Sequence, residues 1–285
     1  MTAAVLGGRA AGLLGAWRSG LTARQAELTV HALVFTFLVF VALVPAAVRT
    51  HPPLELVGDP FVAPGGAHWL GTDEIGRDLY SRIVHGLGIS LASAALAVAV
   101  GLVLGAAIGI PSGYRRGGVV DSVLGRFTES VMAIPSILFT LAVITTFGRG
   151  TFVAAIAIGI SEAPGFARLI RGSVIHASSL TYVEAARTCG ASPGRVTGRH
   201  VVPAILPPLL SYTALHFGVA MLAIGAVSYL GFGEEPPSPE WGVLIATGQK
   251  YLTHAWWVAL TPGIALAVVV ILLNRISYLL QERRR

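Results

Sequence analysis

Long apolar runs limit this chain more than any other feature. Crossing a bilayer takes about 20 consecutive apolar residues, and six stretches of 285 residues meet that length: 29–48, 89–110, 124–147, 151–170, 205–230 and 255–273. Polar surface is too scarce to coat a soluble globule, since 54% of residues are hydrophobic and 12% charged, with a mean hydropathy of +0.73. Soluble domains carry about 25% charged residues. A cytosolic enzyme is therefore excluded, and the 34 glycines suit helices that pack closely in lipid. The pattern predicts an all-α, polytopic membrane protein with six transmembrane helices.

Orientation follows from the basic residues, which concentrate in cytoplasmic loops. Six spans place both termini and the connections 111–123 and 171–204 on one side. That side holds fifteen of the 20 basic residues; the other holds Arg49, Arg77, Arg82, Arg149 and Lys250. Both termini are thus expected in the cytoplasm. The arginines are scattered between apolar runs rather than gathered on one face, so the net charge of +6 reads as topology and not as a nucleic-acid footprint. Lys250 is the sole lysine and follows Gln249, which excludes a G-x-x-x-x-G-K-[ST] nucleotide loop. Cys189 stands alone, so no cysteine metal cage is available.

The expected organisation is a cytoplasmic segment 1–28, a first anchor 29–48, an extracytoplasmic segment 49–88, a core 89–280 and a basic tail 281–285. The first run is longer than the 7–15 apolar residues of a cleaved signal, so it reads as an uncleaved anchor. A second extracytoplasmic loop, 231–254, is expected to hold a short helix near Trp241–Gln249. Trp69, Tyr80, Tyr229, Trp241, Trp256 and Trp257 fall near the predicted water–lipid boundaries, where such side chains belong.

The longest inside connection, 171–204, is no passive linker. Thr181 and Glu184 have the spacing of a capping box, so a helix is expected from Tyr182 to Cys189. Gly190 suits the left-handed position that ends a helix, and Ser192 with Pro193 suits the start of another. A rigid helix–glycine–helix protrusion results. Ala185 and Ala186 permit close approach, and Glu184, Arg187 and Arg195 offer polar contacts, so it suits docking. A helix lying on the bilayer is the alternative, although it would want large apolar residues opposite its cations.

The run E-A-A-x-x-x-G at Glu184, Ala185, Ala186 and Gly190, followed by His200, Val202 and Pro203, resembles the EAA loop of bacterial ABC-importer permeases. L-G-T-D-E-I-G-R-D-L-Y-S-R (70–82), F-A-R-L-I-R-G (166–172), Y-L-G-F-G (229–233) and P-P-S-P-E-W-G (236–242) are similar to the peptide/nickel branch, in the expected order. The resemblance implies the type I permease fold and a second homologous permease chain. It also implies two ABC ATPase subunits or domains, which bind the ATP and Mg, and an extracytoplasmic solute-binding protein. This chain would bind no cofactor, carry out no covalent chemistry and sit in the bacterial cytoplasmic membrane. It resembles the C-type permease of dipeptide or oligopeptide importers; a nickel or other small-solute importer shares the motifs. The loop residues Tyr182, Val183, Glu184, Ala185, Ala186, Arg187, Gly190, Ala191, His200 and Pro203 would then meet an ATPase. The sequence departs from the family at Ala163, where Trp is common, and in the C-terminal N-R-I-S-Y-L-L-Q-E-R-R-R.

Other polar residues admit two readings each. Glu162, inside a span, could contact substrate or protons, the latter as in a proton-coupled secondary transporter; it could instead pair with Arg168 near a break at Pro164. Pro135 bends the third span, either as part of a gate or as plain structure. Arg126 and Glu129 are spaced for an i,i+3 pair. Asp73, Glu74 and Asp78 could meet a binding protein or fix their loop to the partner permease. His68, His85, His200 and His216 lack metal-ligand spacing.

Overall fold

The computed structural model describes residues 25–282, so most of the segment 1–28 and the tail residues Arg283, Arg284 and Arg285 lie outside the described residues. Within them the chain is helical apart from its connections and two isolated bridges, Leu56 to Arg77 and Thr72 to Asp78. Helix α1 (Gln25–Leu43) leads through a 3-10 turn and an irregular segment to α2 (Leu79–Tyr114), α3 (Val119–Met132), α4 (Ser136–Phe147) and α5 (Thr151–Ser178). Then come α6 (Thr181–Thr188), α7 (Pro193–Val196), α8 (Val202–Tyr229), α9 (Trp241–Gly248) and α10 (Trp257–Glu282). A π-helical turn, Thr197–Val201, fuses α7 and α8 into one 37-residue rod.

Among the described residues, α1, α2, α5, the α7–α8 rod and α10 are each long and apolar enough to cross a membrane. The expected third span is broken: α3 and α4 meet at an 84° bend. Pro135 explains it, because a proline pushes the residue before it out of the helical region and donates no N–H; Pro135 itself precedes α4 with ψ 128°. No break occurs at Pro164, in contrast to the sequence expectation. Helix α5 continues through it, with Ala163 and Pro164 buried, because packing can hold a proline inside a membrane helix.

The bundle is organised by backbone contact between α2 and α5. Gly101, Gly105, Gly109 and Gly113 recur every four residues along α2, and a Cβ at Gly105 would lie 2.3 Å from Phe166 Cβ. At Gly109 it would lie 2.6 Å from the Ala167 carbonyl oxygen, and a Cβ at Gly159 of α5 would lie 2.5 Å from that of Ala97. Small residues allow this approach, and in lipid, where no hydrophobic effect draws helices together, van der Waals contact of this kind holds them. Phe166 fills the centre, fully buried, edge-on to Tyr212 of α8 at 5.0 Å. Helices α8 and α10 join through Ser277, whose hydroxyl donates to the Ser211 carbonyl at 2.6 Å. Helix α1 touches the bundle through Val41 and Phe35, while Leu33, Phe37, Phe40 and Leu43 face outward.

Candidate functional site: an elbow and its supports

The elbow stands where α5 ends. Leu180, in extended conformation, precedes α6 and its carbonyl accepts from the N–H groups of Val183 and Glu184. The expected capping box is absent: Thr181 is already the first helical residue and no side chain caps α6. The Glu184 carboxylate is consequently left without a partner among the described residues, and Thr188 Oγ1 donates only to the Glu184 carbonyl. At the far end Gly190 has φ +83°. Its N–H donates to the Arg187 carbonyl at 2.9 Å and that of Ala191 to the Ala186 carbonyl at 3.1 Å, the paired bonds of a Schellman turn. Ser192 is extended and Pro193 opens α7.

Three anchors make the elbow rigid. Val183 is fully buried, as are Val196 and Val201 of the following rod and Val174 of α5. Arg187 lies over the Tyr114 ring at the end of α2, 5.2 Å from its centroid, a cation–π contact. Tyr182 faces His200, ring to ring at 6.2 Å. Tyr182, Glu184, Ala185, Arg187, Cys189 and Gly190 are exposed, Ala186, Ala191 and His200 half-buried, and Pro203 exposed in the first turn of α8. The structure thus gathers all ten predicted loop residues at one end of the bundle.

Beside the elbow, sequence reasoning missed a second device. Asp121, at the start of α3, accepts from two guanidinium nitrogens of Arg171 on α5, Nε at 2.6 Å and Nη2 at 2.9 Å. Ser112 Oγ of α2 and the Gly117 N–H also donate to it. One carboxylate therefore ties α2, α3 and α5 together, and its signal was only an acidic residue in a basic connection. These helices enclose a cleft of about 380 Å³ lined by Asp121, Arg126, Glu129, Arg168 and Arg171 among others. The expected Arg126–Glu129 pair does not form among the described residues; both side chains line this cleft instead.

At the opposite end of α2, the L-G-T-D-E-I-G-R-D-L-Y-S-R run bonds largely to itself. Asp73 is buried and bonds Arg77 Nε at 2.6 Å, Arg82, and the N–H groups of Ile75 and Arg77. Arg82 donates onward to the Pro237 carbonyl at 3.1 Å, pinning this segment to the 231–254 loop. Asp78 caps α2, accepting from Ser81 N–H and Oγ, Thr50 Oγ1 and His68. Burial alone would push the Asp78 carboxyl up, but these donors outweigh it and hold it below the ordinary value of 3.8. Trp241 and Trp257 are both buried, with indole N–H groups donated to the Ile83 and Thr72 carbonyls. Glu240 caps α9 through the N–H groups of Gly242 and Val243, and burial pushes its carboxyl up.

Within the bundle, Glu162 does not pair with Arg168. Its Oε2 lies 2.7 Å from His216 Nδ1 on α8, within ion-pair reach though off the line of a hydrogen bond. The His216 ring stacks on Tyr212 at 4.0 Å and against Phe166 at 5.3 Å. Arg168 instead reaches Met132 Sδ at 3.1 Å, beside the break that Pro135 makes.

The fold has known counterparts. In fold, the chain is similar to the MetNI methionine ABC transporter in an inward-facing conformation, with a TM-score of 0.57 at 19% identity over 68% of this chain and 91% of that one. It is likewise similar to an amino acid ABC transporter (TM-score 0.56, 18% identity, 72% and 94% covered). In sequence it is 34% identical to the probable D,D-dipeptide transport system permease protein DdpC of Escherichia coli, covering 88% of this chain and 85% of the relative. It is 35% identical to the dipeptide transport system permease protein DppC of Alkalihalophilus pseudofirmus (80% and 73% covered). The glutathione transport system permease protein GsiD of Pectobacterium atrosepticum is also 35% identical (74% and 70% covered). Residues 101–285, which hold the elbow, the cleft and the Glu162 cluster, match the family of binding-protein-dependent transport system inner membrane components, and the chain belongs to that family.

Proposed function

We propose that this chain is one of two transmembrane subunits of an ATP-driven importer of short peptides, and that the α6–Gly190–α7 elbow is where an ATPase drives it. The observation that carries this reading is the elbow itself: a helix–glycine–helix held from within by Val183, Val196 and Val201, with the exposed Glu184 carboxylate unpaired among the described residues. A docked nucleotide-driven subunit pushing there would move α5, α2 and the α7–α8 rod as one body, because Val183, Arg187 and Tyr182 anchor the elbow to all three. The bend at Pro135 would let α4 shift relative to α3. Two dipeptide relatives and a glutathione relative support a peptide cargo. The arginine excess at the elbow end supports a cytoplasmic orientation for it. The outward-facing apolar residues of α3, α4 and the bend between them, Phe127, Ile134, Leu138 and Phe147 among them, suit contact with a second permease. A binding protein would deliver the peptide at the other end.

The test is uptake of labelled dialanine in cells with and without the gene, under ATP depletion and, separately, with an uncoupler while ATP is maintained. Uptake lost with the gene and with ATP, but surviving the uncoupler, is the expected result. Loss with the uncoupler alone would replace this reading with a proton-coupled carrier. Glu184→Lys should abolish uptake and co-purification of the ATPase while leaving the permease in the membrane.

A further inference from the structure

Helix α3 does not continue the direction of α4. The two meet at an 84° bend, and α4, joined to α5 by residues 148–150, packs against it, so α3 lies across α5 rather than along it. Two contacts agree with this crossing. Asp121 and Met132, about 16 Å apart along α3, reach Arg171 and Arg168, only about 4.5 Å apart along α5. A helix that crosses the elbow end of the bundle in this way runs near the plane of the membrane surface, where amphipathic helices rest. Its faces differ accordingly. One borders the cleft of about 380 Å³ through Asp121, Gly125, Arg126 and Glu129. Beside it Val119 and Val123 point outward, 80% and 59% exposed. Arg126 follows Val119 by two helical turns and so stands on the border between the two faces.

Within the cleft, Arg171 is neutralised by Asp121. Arg126 and Arg168 are exposed, and neither has a carboxylate partner among the described residues; Arg168 holds only the Met132 thioether, a weak acceptor. Glu129 is exposed and likewise unpaired among them. Two guanidinia against one carboxylate leave a single positive charge beside an outward apolar face. We infer that this cleft binds one anionic phospholipid of the cytoplasmic leaflet, its phosphodiester held by Arg126 and Arg168 and a head-group hydroxyl donated to Glu129. A phosphodiester carries one negative charge and neutralises the cleft, and guanidinia grip phosphate oxygens as a fork. Basic pockets between membrane helices on the cytoplasmic side suit lipid head groups. The acyl chains follow Val119 and Val123, and the bound lipid ties α3 to α5 beside the Asp121–Arg171 pair. This assignment rests on the cytoplasmic orientation of the elbow in the previous section and is independent of the cargo.

The experiment is native mass spectrometry of the complete permease–ATPase complex in detergent, titrated with dioleoyl-phosphatidylglycerol, dioleoyl-phosphatidylmethanol or dioleoyl-phosphatidylcholine, with glycerol phosphate as a competitor that has no acyl chains. The complex should retain phosphatidylglycerol more tightly than phosphatidylcholine. Arg126→Gln and Arg168→Gln should each weaken that retention about fivefold, the contribution of one arginine near an anionic surface. Glu129→Ala should remove the preference for phosphatidylglycerol over phosphatidylmethanol, which lacks the head-group hydroxyls. If the arginine variants fail to assemble, Gly125→Leu, placed where the glycine leaves open space, should displace the lipid with every charge still present. Equal retention of phosphatidylglycerol and phosphatidylcholine, or retention unchanged in both arginine variants, would overturn the site. So would displacement by glycerol phosphate, the mark of a site for soluble anions, or the absence of retained lipid, the mark of a cleft covered by the second permease. Gene-dependent dialanine uptake would survive each of those results, so failure of the lipid site is distinguishable from failure of the importer reading.

Discussion

Replacing Gly190 isolates the elbow's geometry from its packing. With φ at +83° the residue sits where any L side chain is strained, at about 1–2 kcal/mol. A Cβ built there meets nothing within 4 Å, so crowding adds no further cost. A strain of that size changes the ratio of two conformations about five- to thirtyfold, here between the closed Schellman turn and one with its two terminal hydrogen bonds opened. Asn tolerates positive φ, Ala less so, and β-branched Val least. Uptake should therefore fall in the order Gly190, Asn, Ala, Val, with Gly190→Val losing about 90% or more on this scale. Membrane abundance should stay constant across the series, since the position is exposed. Labelled-peptide uptake normalised to permease in the membrane measures this directly. Wild-type uptake by Gly190→Val, or equal losses for Asn and Val, would refute the argument that a left-handed residue sets the elbow.

Two further outcomes follow from packing and charge. Gly105→Val forces a Cβ to 2.3 Å from Phe166 Cβ, where carbon atoms need about 3.5–4.0 Å. The variant should lower stability by about 1–3 kcal/mol, read as thermal unfolding in detergent, whereas Gly125→Ala, with open space around its Cβ, should not destabilise. Asp78 titrates below 3.8 in the folded chain, so its ionised form stabilises the fold: the contribution is complete above the unfolded value and is lost as pH falls through the lowered one. Asp78→Asn should reduce stability at neutral pH and flatten the loss below about pH 4; an unchanged acid limb would show that Asp78 is not the group responsible.

Local chemistry made part of this protein legible. The run lengths of apolar residues determined the spans, since a bilayer sets one length for every helix that crosses it. A glycine followed by Ser192 and Pro193 determined the elbow, because the φ range of one residue and the capping needs of the next two are short-range properties. Pro135 marked the break for the same reason. Tertiary structure decided what local rules leave open. Thr181 had the spacing of a cap, yet α5 ends so that Leu180 precedes α6 and Glu184 is released to the surface. Glu162 and Arg168 are near neighbours in sequence, yet six positions place them about 120° apart around a helix, and the acid meets His216 on another helix instead. Asp121 finds Arg171 fifty residues away, and Trp241 and Trp257 turn inward to bond distant carbonyls. Each of those pairings joins residues distant in sequence, and it depends on how the helices pack, which small residues permit but only the packed bundle specifies.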